Sequence, residues 1–203
     1  MSQHKSGISL LSLTAPILME NTLRMAMGTV NVFMLGRYSD NAVGSVGVAT
    51  QFINMILMIY SVAASGAAIV SNQYLGAGQS KHARQVGAVA VWMSAAMGLV
   101  LSAMVFLFAE PIMVVMNLPP ELLADGTVFL RIVGGTSFIQ AMTATMSAVA
   151  RSHGMARLPM MMAFVMNLIN LVGNWFVLNR PEIMPVTGVA GVATAQVFAA
   201  FCG

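Results

Sequence analysis

The first hydrophobic stretch, ISLLSLTAPILMENTLRMAMGTVNVFML from Ile8 to Leu35, decides the fold. As a helix rising about 1.5 Å per residue it is about 42 Å long, enough to cross a hydrocarbon core about 30 Å thick. Glu20 and Arg24 lie near its middle, a depth at which charge is costly and points to function. Pro16 and Asn31 lie in the same stretch. We therefore predict a membrane span that does more than anchor the chain.

The composition of the chain is typical of a membrane protein. Of its 203 residues, 58% are apolar and 7% are charged, whereas soluble domains carry about 25% charged residues. The net charge of +3 comes from basic residues scattered between apolar runs, so we expect no nucleic-acid partner. The single cysteine, Cys202, excludes an internal disulfide and a cysteine metal cluster. Since no nucleophile–base pair is apparent, we predict no enzyme, no metal site and no cofactor.

Five further apolar runs follow the first, and together they predict an all-α polytopic membrane protein, a bundle of six transmembrane helices in a single membrane domain. The predicted helices cover residues 8–35, 46–75, 86–108, 122–150, 158–178 and 186–203. The last run, at 18 residues, is shorter than the roughly 20 that a span needs. We therefore expect the sixth helix to be truncated and the sequence to be a fragment of a longer protein.

Loop charges predict the orientation of these helices. One set of segments holds basic residues without acids: Lys5, Lys81, Arg84, Arg151 and Arg157. The alternate loops mix two basic residues with five acids: Arg37, Arg180, Asp40, Glu110, Glu121, Asp125 and Glu182. Because an excess of Lys and Arg marks cytoplasmic loops, we predict that the N-terminus lies in the cytoplasm.

Parts of the first span recur in the fifth. The repeated residues are Pro16, Asn31, Phe33, Leu35 and Arg37, which return as Pro159, Asn174, Phe176, Leu178 and Arg180. The sequence GVAT at residues 47–50 also returns at 191–194. Internal repeats are typical of transporters, whose sites form between repeated helices. The alternative is a chance match of common residues in apolar sequence.

Two groups of polar residues inside the predicted spans are candidates for a transport pathway. Glu20 and Arg24 are spaced i, i+4, so they share one helix face and can pair. The pair either offsets charge during insertion or includes a carboxylate that titrates or binds a cation. The residues alone leave the choice between these two roles open.

The second group is a stripe of amides on the fifth span, Asn167, Asn170 and Asn174. This face must contact protein or water, because unpaired amides are costly in lipid. Either the stripe lines a cavity shared with Asn31, or it forms hydrogen bonds between packed helices. Gln51 and Asn54 interrupt the second span and complete the candidate pathway residues.

Several motifs, in order along the chain, resemble the multidrug and toxic compound extrusion (MATE) family. They are LTAPI at 13–17, VNVFMLGRYSDNAVGSVGVATQF at 30–52, SNQYLGAGQSKHARQVG at 71–87, RSHGMARLPM at 151–160 and TGVAGVATA at 187–195. The resemblance implies the N-terminal lobe of a transporter with twelve helices in two lobes, in a bacterial inner membrane. It implies export of cationic amphipathic drugs or metabolites in exchange for Na+ or H+.

The resemblance also bears on individual residues. The family often has an aspartate at the position of Asn31, and some branches have another at the position of Asn174, four residues after an asparagine that matches Asn170. Both are amides here, so coupling through this lobe would require Glu20. Pro16 matches a family proline linked to helix bending. The expected partners are cationic substrates, the lipid bilayer and a C-terminal lobe on the same or another chain.

Two other functions compete with drug export. One is flipping of lipid-linked saccharides by a member of the same superfamily, which would need a more cationic cavity. The other is a non-transporting scaffold or half-size partner, in which the polar faces of spans one and five would be buried contacts.

Overall fold

The structure is a computed structural model that describes residues 10–36, 39–179 and 188–202. Within these ranges the chain forms seven α-helices and no strand, which agrees with the predicted all-α class. The helices are α1 (Leu10–Gly36), α2 (Asp40–Gly76), α3 (Ser80–Val115), α4 (Pro120–Phe129), α5 (Phe138–Ser152), α6 (Arg157–Asn179) and α7 (Gly188–Cys202). A π-helical segment, Leu130–Gly134, follows α4 directly.

Three of the described helices are long and apolar enough to cross a membrane: α2, α3 and α6. The pair formed by Pro120–Gly134 and Phe138–Ser152 passes the same test together and is bent by 46°, so it counts as a fourth span if it is continuous. α1 has 27 residues but includes Glu20, Arg24 and Asn31, and α7 is a shorter apolar helix of 15 residues. The six predicted spans correspond to α1, α2, α3, the bent pair, α6 and α7.

The third predicted helix ends later in the structure than the sequence predicts, and the fourth is broken. The helix predicted to end at residue 108 continues to Val115, and Phe108 is the site of a kink with φ −107° and ψ 19°. Pro111 lies just beyond it, where a proline removes a backbone hydrogen bond and clashes with the preceding turn. The helix predicted over 122–150 is divided by the π-helical segment and the bend. α2 and α3 also begin earlier than predicted, because polar turns extend the helices beyond their apolar parts.

Small residues let α2, α3 and α5 pack closely against one another. A Cβ atom added to Gly98 of α3 would lie 2.8 Å from the Phe138 Cα atom and 3.0 Å from the Ala141 Cβ atom of α5. At Gly87 it would lie 2.9 Å from a methyl group of Val149. Close approach through small residues is how membrane helices gain packing energy without a hydrophobic driving force.

Hydroxyl groups join the same three helices where the bent span breaks. Ser137 precedes α5, and its Oγ atom lies 2.9 Å from the Tyr60 hydroxyl and 3.0 Å from Ser102 Oγ. Ser102 Oγ also accepts a hydrogen bond from the Phe138 backbone N–H at 2.9 Å. About two turns further along α3 and α5, the hydroxyl oxygens of Ser94 and Thr145 are 2.7 Å apart. The broken backbone therefore finds its partners inside the protein, as irregular structure at membrane depth requires.

α1 packs mainly against α6, and α6 packs against α7. The large apolar side chains on the outer face of α3 are exposed, for example Trp92, Met93 and Leu107. Such a face suits contact with lipid tails. The fold thus places the polar faces of α1 and α6 together and turns the apolar face of α3 outward.

Candidate functional site

The buried carboxylate of Glu20 pairs with an arginine on another helix. Its Oε2 atom lies 3.3 Å from Nη1 of Arg151, in the last turn of α5. The Glu20 side chain is 8% exposed and that of Arg151 is 32% exposed. Glu20 is the only charged residue among the buried side chains that the structure describes. The sequence predicted Arg24 as its partner, but the Arg24 side chain lies outside the described part of the chain.

The sequence predicts that Arg151 lies just beyond the fourth helix, in a segment on the cytoplasmic side, and the structure corrects only its place relative to the helix. α5 continues through Ser152, so Arg151 lies inside the helix. A cation in the last turn of a helix interacts favourably with the helix dipole. The only sequence signal for its role is a basic residue close to the end of an apolar run, and this signal does not identify a partner 131 positions away.

Beside this ion pair a groove of about 820 Å³ opens between α2 and α5. Among the described residues of its lining Arg151 is the charged one; Glu20 does not line the groove and is linked to it through its contact with Arg151. Hydroxyl, amide and imidazole groups share the lining with aliphatic ones; the residues are Ser65, Ala68, Ile69, Asn72, Leu75, Ala148, Arg151, Ser152, His153 and Gly154. A volume of this size and a mixed lining suit a small amphipathic molecule.

Three of the predicted amides meet between α1 and α6. The side-chain N–H groups of Asn174 donate to Asn31 Oδ1 at 2.8 Å and to Asn170 Oδ1 at 3.2 Å. Asn174 is 1% exposed and Asn170 is 5% exposed. The Oδ1 atom of Asn174 is buried without a hydrogen-bond partner among the described residues. We refer to Asn31, Asn170 and Asn174 as the amide cluster.

The amide cluster bears directly on the internal repeat. Asn31 and Asn174 occupy equivalent positions of the two repeated segments, and the structure joins them by a hydrogen bond. The repeated prolines, Pro16 and Pro159, are also both buried. One pair of equivalent repeat positions, Asn31 and Asn174, therefore meets at the interface of α1 and α6.

Other predicted pathway residues lie apart from both groups. Asn167 is half-buried on α6, and no hydrogen bond described in the structure joins it to the amide cluster. Gln51 and Asn54 are exposed on α2, outside the lining of the groove. Pro16 is buried within a helix that continues on both sides of it, so bending at this residue stays a prediction.

Glu20 and Asn31, the member of the amide cluster on α1, lie along one face of that helix. Eleven residues separate Glu20 from Asn31, which corresponds to about 16 Å along the axis and about 20° around it. The same face buries Pro16 and Leu35. One helix therefore presents two polar sites at different depths to its neighbours.

Comparison with known proteins identifies the family. The MatE family model matches residues 16–176. The chain belongs to the MATE family. The predicted family is thus confirmed, and its transport role agrees with the prediction that the chain is not an enzyme.

Individual relatives and structures agree with this assignment. The chain is 41% identical over 195 residues to the uncharacterized transporter YisQ of Bacillus subtilis, covering 96% of this chain and 43% of YisQ. It is 27% identical to the probable multidrug resistance protein NorM of Thermotoga maritima, covering 96% of this chain and 42% of NorM. The structure of the Vibrio cholerae MATE transporter VcmN in the bent form resembles it with a TM-score of 0.82 and 20% identity, covering 94% of this chain and 42% of VcmN.

This MATE chain spans about two fifths of the length of the relatives it matches. The fold of that part is the all-α membrane bundle predicted from its sequence. It is a multi-pass membrane protein of a transporter family.

Proposed function

We propose that this MATE chain forms the N-terminal lobe of a bacterial inner-membrane antiporter that exports small amphipathic compounds bearing a cation, in exchange for Na+ or H+. The observation that carries the proposal is the Glu20–Arg151 pair beside the groove. A carboxylate within a membrane helix is expensive to maintain. Its partner, Arg151, is partly exposed and lies on a second helix. A bound cation can therefore take the place of that arginine beside the carboxylate.

Glu20 is also our candidate for the coupling residue. The resemblance places Asn31 and Asn174 at positions where family members can have aspartates, and amides neither gain nor lose a proton at physiological pH. Among the buried side chains of the described residues, Glu20 is the one acid. We propose that Glu20 binds the coupling cation in one phase of the cycle and the substrate cation in another.

The amide cluster then has two roles: it joins α1 to α6, and it offers a hydrogen-bond acceptor. Asn174 holds α1 and α6 together through its two donated hydrogen bonds. The partnerless Oδ1 atom of Asn174 offers an acceptor for a water molecule or a substrate N–H group. Because the cluster lacks charge, we propose that it contributes to positioning rather than to ion coupling.

The groove favours drug export over flipping of lipid-linked saccharides. Among the described residues, Arg151 is the one cation that lines it, whereas a pyrophosphate-linked lipid carries at least two negative charges. We further propose that a second lobe, on the same or another chain, closes the polar faces of α1 and α6.

Transport in proteoliposomes tests this function. We expect ethidium to move against its gradient when an opposing Na+ or H+ gradient is imposed, and to stop when that gradient is dissipated. Imposing the two gradients separately identifies the coupling ion. Reconstituted, folded protein that moves no cationic dye under either gradient would contradict the proposal and favour a scaffold.

A further inference from the structure

Arg151 and Glu20 differ in how exposed they are, and this difference sets the order in which a ligand in the groove contacts them. Arg151 lines the groove and is 32% exposed, while Glu20 is 8% exposed, is absent from the lining and contacts Arg151. A cation that approaches Glu20 from the groove therefore meets the guanidinium of Arg151 first. Arg151 acts as a tethered cation that already occupies one oxygen of the carboxylate.

Charge balance then restricts which ligands can open the pair. A simple cation that takes the place of Arg151 leaves the guanidinium without its carboxylate, which weakens the binding of that cation even though the guanidinium is partly exposed to water. A ligand that carries both a cation and a carboxylate avoids this cost. Its cation contacts Glu20, and its carboxylate accepts hydrogen bonds from the guanidinium, which is well matched to carboxylates.

The rest of the lining suits the body of such a molecule. Ser65, Asn72 and Ser152 provide hydrogen-bonding groups, and Ala68, Ile69 and Leu75 provide an aliphatic surface. Ser152 is already tied to α2 through a 3.4 Å hydrogen bond to the Ala68 carbonyl. This hydrogen bond links α5, which carries Arg151, to α2 on the other side of the groove.

We propose that the groove between α2 and α5 selects zwitterionic amphiphiles, with Glu20 binding the cation and Arg151 binding the carboxylate. This inference rests on the proposed export function and names its preferred substrate class. It assigns Arg151 as a specificity-determining residue.

Rhodamine 110 and its methyl ester, rhodamine 123, form a matched pair of probes. Both carry the same delocalised cation, and only rhodamine 110 has a free carboxylate. We expect the unmodified protein, purified and reconstituted in lipid nanodiscs, to bind rhodamine 110 about tenfold more tightly than rhodamine 123. Binding is measured by fluorescence anisotropy. Export of both dyes is measured in parallel in proteoliposomes.

Variants of Arg151 identify the source of the preference. In Arg151→Gln the affinity for rhodamine 110 should fall about tenfold, while that for rhodamine 123 should hold or rise because a competing cation is gone. Arg151→Lys keeps the charge without the planar fork and should retain a smaller preference for rhodamine 110. Arg157→Gln is the control, because Arg157 is an exposed arginine outside the groove lining.

The possible results separate the inference from the proposed function. Equal affinity for the two dyes in the unmodified protein would overturn the inference, as would an equal loss for both in Arg151→Gln. If both dyes are exported without such a preference, the export function stands alone. If neither dye is bound or moved, both proposals fail.

Discussion

Asn174 is the residue whose hydrogen bonds hold the amide cluster together. Its replacement by alanine removes the donor to both Asn31 Oδ1 and Asn170 Oδ1. Leaving buried acceptors unpaired costs about 1–3 kcal/mol, so we expect Asn174→Ala to unfold at a lower temperature in nanodiscs. Asn167→Ala, on the same helix at a half-buried position, should have a much smaller effect. Equal losses in the two variants would show that the cluster does not stabilise the α1–α6 contact.

Residues of the amide cluster were predictable because their spacing and the repeat both pointed to them. The i, i+3, i+7 stripe predicted one polar face on the fifth span, and the repeat related Asn174 to Asn31. The structure adds that Asn167 stands apart, which spacing alone could not reveal. The partner of Glu20 was not predictable, because pairing between α1 and α5 depends on how distant segments pack.

At the scale of helices, Gly98 is a point of close approach between α3 and α5. Because a Cβ atom there would lie 2.8 Å from the backbone of Phe138, the two helices must separate to accept Gly98→Ala. Overpacking of this kind costs about 1–3 kcal/mol, which should appear as a lower unfolding temperature.

Gly66→Ala provides the matched control for this substitution. Gly66 is also helical, but no heavy atom lies within 4 Å of its added Cβ position. Alanine also has the higher helix propensity, so this variant should be neutral or slightly more stable. Comparable destabilisation by both alanines would argue against close packing of α3 on α5.

Helix existence followed from hydropathy, whereas breaks within helices did not. The apolar run from Val128 to Val149 is long enough for a single span, so the sequence predicted one helix there. Its bend depends on tertiary partners, since Ser102 on α3 accepts the Phe138 N–H that the break leaves free. Pro111 is a sequence signal for the kink at Phe108. Because the apolar run ends at residue 108, the sequence did not predict that the helix continues to Val115.

For the whole molecule, the predicted orientation can be tested by cysteine labelling. Cys202 is the single cysteine, so Cys202→Ser provides a cysteine-free background. In intact cells, a membrane-impermeant maleimide should label Glu121→Cys, at the start of α4, and spare Gln79→Cys, between α2 and α3. The physical basis is the excess of basic residues near the α2–α3 turn. Labelling of Gln79→Cys alone would reverse the orientation.

Family and fold class were predictable because they depend on patterns spread over the whole chain. The motifs that resemble MATE proteins and the six apolar runs remain recognisable even where a helix is kinked or broken. The groove was not predictable in the same way. It depends on how α2 and α5 face each other, and its one charged lining residue had been assigned to a loop.

The measurement that tests the central claim most directly is gradient-driven ethidium export by Glu20→Gln in proteoliposomes. The substitution keeps the size of the side chain and removes the charge that pairs with Arg151. We predict that export falls at least about tenfold, the equivalent of one lost charge-assisted interaction, with normal insertion and folding. Glu110→Gln, an exposed acid on α3, should export like the unmodified protein. Unchanged export and unchanged pH dependence in folded Glu20→Gln would contradict the role of Glu20 in transport.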